Sequence, residues 1–269
     1  VCDSVRGVNK ALYTEDTYAE TTSNQYGYIT EFGSNGFTFS LTNADGLNAS
    51  GSTYCAWCWK AGGAAVSNSD GNITSSVSAN TEAGFSIVSF TGNATSGATV
   101  GHGLNSKPKW FIIKERGNTN DWVVYHESLG SSSGNTNVQF LNLSNDIGGG
   151  FAGGYNNTAP TSSVFSLGNS TETNRSGGSF IAYCWSEVPG FSKFGSYTGN
   201  ASTDGTYVNL GFRPAFVLLK RYNSAASWVL HDNKRSGYNG DNDYFHPDNT
   251  QAESDGSTGT IDFLSNGFK

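Results

Sequence analysis

The stretch Gly84–Asn93, GFSIVSFTGN, returns as Gly190–Asn200, GFSKFGSYTGN. The likeness continues downstream. After the first come Pro108, WFIIK at 110–114 and WVVYH at 122–126. After the second come Pro214, FVLLK at 216–220 and WVLHD at 228–232. Gly84, Pro108, Lys114 and Trp122 each stand 106 residues before their counterparts. A second block, TYCAWCW at 53–59, returns 126 residues later as SFIAYCW at 179–185. A third pairing joins Ser34-Asn-Gly-Phe37 to Ser265-Asn-Gly-Phe268, and Asp3…Arg6 to Asp232…Arg235. The matched residues are Trp, Phe, Pro and Cys, which a Gly/Ser/Asn-rich composition does not align by accident. Self-similarity at a long period marks a chain built from copies of one unit.

The copies can be laid out along the chain. Residues 1–83 are the back part of one copy, 84–189 are a whole copy, and 190–269 are the front part of another. Unequal offsets place insertions and deletions in surface loops. A β unit that ends on an unpaired half is disfavoured. The back of one copy is therefore expected to pack with the front of the next, dividing the chain into β-sandwich modules at 1–130 and 131–269. The other reading is a segment of a longer array. The first copy departs most, because Ala61–Asn80 is a Gly/Ser/Asn-rich insert where the next junction has only Glu187-Val-Pro189.

Short apolar runs rich in β-branched and aromatic residues, broken by turn residues, predict an all-β protein of tandem β-sandwich modules, jelly-roll or lectin-like. Trp110–Lys114 and Phe216–Lys220 read as strands covered on both faces. Each is followed at hairpin distance by a second strand, at 122–126 and 228–232. Pro108 and Pro214 suit strand starts, where no ladder donor is lost.

The net charge of −7 argues against nucleic acid and anionic membranes as partners. No apolar run approaches the length of a membrane span, so membrane insertion is not expected, and no signal peptide lies within the first residues. Catalysis finds no footing. His126-Glu127-Ser128 has no serine counterpart in the next copy, and neighbours on a strand point apart. The GxSxG match at Gly130–Gly134 lacks a helix after it. No enzyme is expected. The acidic residues Asp241, Asp243, Asp248 and Asp255 are hard oxygen ligands at close spacing and are the Ca²⁺ candidates, set against a solvated acidic loop. No other cofactor is indicated. Tyr155, Asn157, Tyr238, Asp241 and Tyr244 lie in loop-like sequence and are the candidate surface residues for a sugar, by stacking plus short polar contacts. Cys58 and Cys184 recur and read as small core residues. Cys2 and Cys55 have no repeat counterparts and are the candidate disulfide pair.

The blocks at 190–221, SWVLHD at 227–232, DFLSNGF at 262–268 and SFIAYCWSEVPG at 179–190 resemble a module found in tandem in structural proteins of marine bacteriophages, often labelled tail-fibre-like. The resemblance covers nearly the whole chain. It implies a virion appendage or extracellular location, self-association as a homo-oligomer such as a trimer, and no catalytic residues. With the residue-level reading it gives a non-enzymatic fibre-like protein, its modules acting as spacers and as contacts to a host-surface glycan or receptor. The alternative is a structural subunit of a capsid surface or extracellular filament that binds only its own neighbours.

Overall fold

Apolar residues of the middle copy alternate across one large sheet, and the rest of the chain is arranged around it. The computed structural model describes residues 1–22, 27–40, 46–132, 135–146, 151–235, 239, 243–254 and 261–269. The protein is all-β. The first part carries the paired strands β1 (Lys10–Ala11) and β2 (Thr21–Thr22), then a hairpin of β3 (Tyr28–Phe32) and β4 (Phe37–Ser40). Then follow β5 (Val66–Asn68), β6 (Ser75–Asn80), β7 (Phe85–Thr91), β8 (Ala98–Gly101), β9 (Pro108–Glu115) and β10 (Val123–His126). The short strands β11 (Ser131–Ser132), β12 (Asn135–Thr136) and β13 (Gln139–Phe140) lead to β14 (Val164–Leu167) and β15 (Ser179–Ser186). Two helical turns, α1 (Ala152–Tyr155) and α2 (Thr171–Asn174), flank β14. The last part holds β16 (Val208–Asn209), β17 (Phe216–Leu219), β18 (Val229–Asp232), β19 (Tyr244–Phe245), β20 (Phe263–Leu264) and β21 (Gly267–Phe268).

Seven strands form the main sheet in the order β13-β10-β9-β15-β7-β6-β5, every pair antiparallel. The copy's last strand, β15, enters between β7 and β9, so the centre of the sheet closes only when the end of the copy returns. With period-2 alternation, Phe111, Ile113, Phe180, Ala182 and Cys184 face one side. There they pack against Ala98 and Val100 of β8 and Phe165 and Leu167 of β14. Ile112, Ile181, Tyr183 and Trp185 face the other side, and there meet Leu12 of the first part and Trp228 and Leu218 of the last. The expected hairpins are present as β9–β10 and β17–β18, and β9 begins at Pro108.

Two expectations need correction, the domain boundary and the burial of Cys58. A boundary at 130/131 passes through the main sheet, because β9 and β10 precede it while β13 and β15 follow it. Pairing of β15 with β7 and β9 ties the two sides of that boundary into one hydrogen-bonded unit. The insert supplies β5 and β6, which extend the middle copy's sheet. Its glycines allow the close approach: a Cβ on Gly62 would stand 2.0 Å from the Ala79 carbonyl oxygen, and one on Gly71 would stand 2.3 Å from that of Thr99. Finally, Cys184 is fully buried in the sheet, but its counterpart Cys58 is exposed, because Thr53–Lys60 carries no strand of its own.

Candidate functional site

The sequence candidates do not converge. Tyr155 is fully buried, and its hydroxyl donates to the Val123 carbonyl at 3.0 Å. Burial pushes that phenol well above its ordinary pKa. It is a core residue, because α1 tucks the ring against Phe111 and Tyr125. Asn157 is exposed beyond α1, in a left-handed conformation with φ 51°. Tyr244 is half-buried in β19, its ring against His231 and His246. Tyr238, Asp241 and Asp255 lie outside the described residues. Asp243 and Asp248 are half-buried, and among the described residues no three His, Cys, Asp or Glu side chains gather as a metal site. Cys2 and Cys55 are free thiols. His126 caps the 3₁₀ turn Glu127–Leu129: its Nδ1 accepts from the Ser128 amide, and Glu127 is held by Lys107 and Lys109.

What the structure does bring together are two copies of one ion-pair cluster. Asp3 Oδ1 accepts from the amides of Val5 and Arg6, while Oδ2 accepts from Arg6 Nε at 2.5 Å and from the Tyr183 hydroxyl at 2.6 Å. Arg6 continues to Glu20, which Arg116 also clasps through Nε and Nη2. Burial alone would raise the Glu20 carboxyl; hydrogen bonds and charge from Arg116 and Arg6 overcome it and bring the pKa down to about 2. At the other end of the chain, Asp232 Oδ1 accepts from the amides of Lys234 and Arg235, Oδ2 accepts from Arg235 Nε at 2.7 Å, and Arg235 continues to Glu253. The aromatic donor to Asp232 is Trp57 Nε1 at 3.2 Å. Trp57 is the repeat counterpart of Tyr183.

A second contact recurs between copies. Trp122 Nε1 donates to the Tyr13 carbonyl at 2.8 Å, and Lys114 Nζ to that of Thr17 at 3.1 Å. One copy later, Trp228 Nε1 donates to the Phe140 carbonyl at 3.0 Å, and Lys220 Nζ to that of Ser144 at 2.9 Å. Each β-hairpin thus clasps the backbone of the preceding copy. Burial brings the Lys114 ammonium down to about 8 and lowers that of Lys220. The Trp and Lys groups of the clasp donate to backbone carbonyls, an arrangement that docks one copy on the next.

One open surface does not recur. A groove of about 330 Å³ crosses β5, β6, β7 and β15 and is lined by hydroxyls, among them Ser67, Ser76, Ser89, Thr91 and Ser179, with Arg116 at its rim. Ser67, Ser76 and Ser89 stand in register across three strands. The insert builds half of it. In the sequence these serines read only as low-complexity filler; period-2 spacing within a strand was the one signal that could have grouped them.

Among the described residues, no helix is long and apolar enough to cross a membrane. No curated protein and no solved structure matches the chain. The family model described as "Domain of unknown function (DUF7483)" matches residues 1–269, and the chain belongs to that family.

Proposed function

We propose that the chain is a non-enzymatic structural module of a virion or other extracellular appendage. Its β copies interlock as a spacer, and its surface makes weak, repeated contacts with a host-surface glycan or receptor. The observation that carries this reading is the recurring clasp, in which Trp122 and Lys114 hold Tyr13 and Thr17 as Trp228 and Lys220 hold Phe140 and Ser144. Residues that recur with the same partners one copy apart serve assembly. The hydroxyl groove is the surface suited to a polyhydroxylated ligand, since it offers donors and acceptors at fixed spacing. Homo-oligomers multiply such weak contacts through effective concentration.

The test is a glycan array and a host-cell binding assay with the full chain, set beside a Ser76→Leu/Thr91→Leu variant that fills the groove. Binding by the parent and loss in the variant are expected. Binding to nothing but itself, read by sedimentation, would replace this reading with that of a capsid or filament subunit. Steady turnover of a glycoside or ester substrate would refute the non-enzymatic assignment.

A further inference from the structure

In the middle copy, β15 lies between β7 and β9 and makes both ladders. The last copy has the counterparts of its neighbours: residues 191–197 match β7, and β17 matches β9. Among the described residues no strand lies between them in a sheet, β17 is paired only with β18, and Ser192 makes only an isolated bridge to Val188. The counterpart of β15 is Thr53–Lys60, which belongs to the first copy and forms no strand. We infer that Thr53–Lys60 is the missing inner strand of the last copy and closes onto it from within the same chain.

The register follows from the middle copy. There Trp185 pairs with Trp110, Cys184 with Phe111 and Tyr183 with Ile112. Carried across the repeat, Trp59 meets Phe216, Cys58 meets Val217 and Trp57 meets Leu218. The segment already lies at this place. The Trp59 ring is 5.5 Å from that of Phe216, edge to face, and Trp57 reaches Asp232 as Tyr183 reaches Asp3. On the far side, Trp185 pairs with Phe85 and Cys184 with Ser86, which predicts Trp59 on Phe191 and Cys58 on Ser192. Trp59 is 44% exposed and Phe191 62%. Their counterparts Trp185 and Phe85 are buried with ring centroids 5.1 Å apart. Closure would bury both rings and pair an otherwise open sheet edge, which is costly to leave exposed. A segment already in contact competes at high effective concentration, which favours the chain's own strand over one from a second copy.

Cross-linking tests register and connectivity together. In a full-length Cys2→Ser/Cys55→Ser background, Ser192→Cys places a thiol opposite Cys58, within the Cα separation a disulfide needs. Val217→Cys does so from the other neighbour, and Lys193→Cys points to the opposite face. Under mild oxidant, the Ser192→Cys and Val217→Cys chains are expected to lose both accessible thiols without forming disulfide-linked dimers, while Lys193→Cys keeps them. Free thiols in both of the first two variants overturn the inference. Disulfide-linked dimers overturn it in favour of strand exchange between chains. Equal cross-linking by Lys193→Cys overturns the register.

Discussion

Acidification from pH 7 to 5 should destabilise the fold through His102, which is fully buried at the end of β8. Its Nδ1 lies 3.2 Å from the Leu104 amide, and its Nε2 lies 3.3 Å from the Thr161 carbonyl. An amide only donates and a carbonyl only accepts. Nδ1 is therefore bare and Nε2 carries the proton, which fixes the neutral tautomer. A second proton on Nδ1 would face the Leu104 N–H. Burial draws the pKa from 6.5 to about 4. Because the folded pKa is depressed, the fold favours the neutral ring. That stability is fully present above pH 6.5 and is lost as pH falls from 6.5 through 4. The full shift corresponds to about 3 kcal/mol, of which about 2 kcal/mol is gone by pH 5. His231, buried and brought to about 4 by burial and then by Arg235, adds a loss of the same sign. Glu20 has its pKa near 2, so its contribution fades only below pH 4.5, outside this window. His126 and the Val1 amine, both lowered by burial, add to the loss. Urea unfolding of the full chain at constant ionic strength should show the decline, and His102→Gln should reduce it. An unchanged unfolding free energy between pH 7 and 5, or a His102 ring proton that titrates near 6.5 by NMR, would refute the reasoning.

Trp122→Ala and Trp228→Ala should each lower the unfolding free energy by about 3–5 kcal/mol. Trp122→Phe, which keeps most of the packing but strands the Tyr13 carbonyl, should cost about 1–3 kcal/mol, read by the same urea titration. Tyr155→Phe should cost about 1 kcal/mol through loss of the bond to Val123 and leave any glycan-array signal unchanged. Asp3→Asn breaks a pair whose side chains are 3% and 0% exposed and should cost about 3–5 kcal/mol. Asp232→Asn, in a cluster where Glu253 is 39% exposed, should cost less in thermal and urea unfolding.

The strands with rare residues were legible. Trp110–Lys114 is an apolar run too short for a helix, with a proline at its start, and it became β9. Its hairpin with β10 followed from a polar loop of the right length. The topology was not legible, because the entry of β15 between β7 and β9 is decided by contacts 65 to 100 residues apart in sequence. That crossing is why a boundary placed at 130 failed. Tyr155 sits in GGYNN, which reads as turn. Only its long-range bond to Val123 makes it core. Cys58 and Cys184 occupy near-identical sequence and differ in burial, because burial belongs to the neighbours and not to the residue. The candidate groove was hidden for a related reason: its serines become a surface only when three strands align them.

The two ion-pair clusters and the two clasps bear on one another. Each joins parts of the chain that belong to different copies: Tyr183 of the middle copy to Asp3 of the first, Trp57 of the first to Asp232 of the last. The first copy gives β5 and β6 to the middle sheet and leans the aromatic segment Thr53–Lys60 on the last. An interface that repeats by displacement along a chain is heterologous, and such interfaces either close or extend without limit. Here the first copy also touches the last, through Trp57 and Asp232. Recurrence of Trp, Lys, Asp and Arg at these places follows from that docking geometry. It gives a physical reason for the repeat that requires no reaction chemistry.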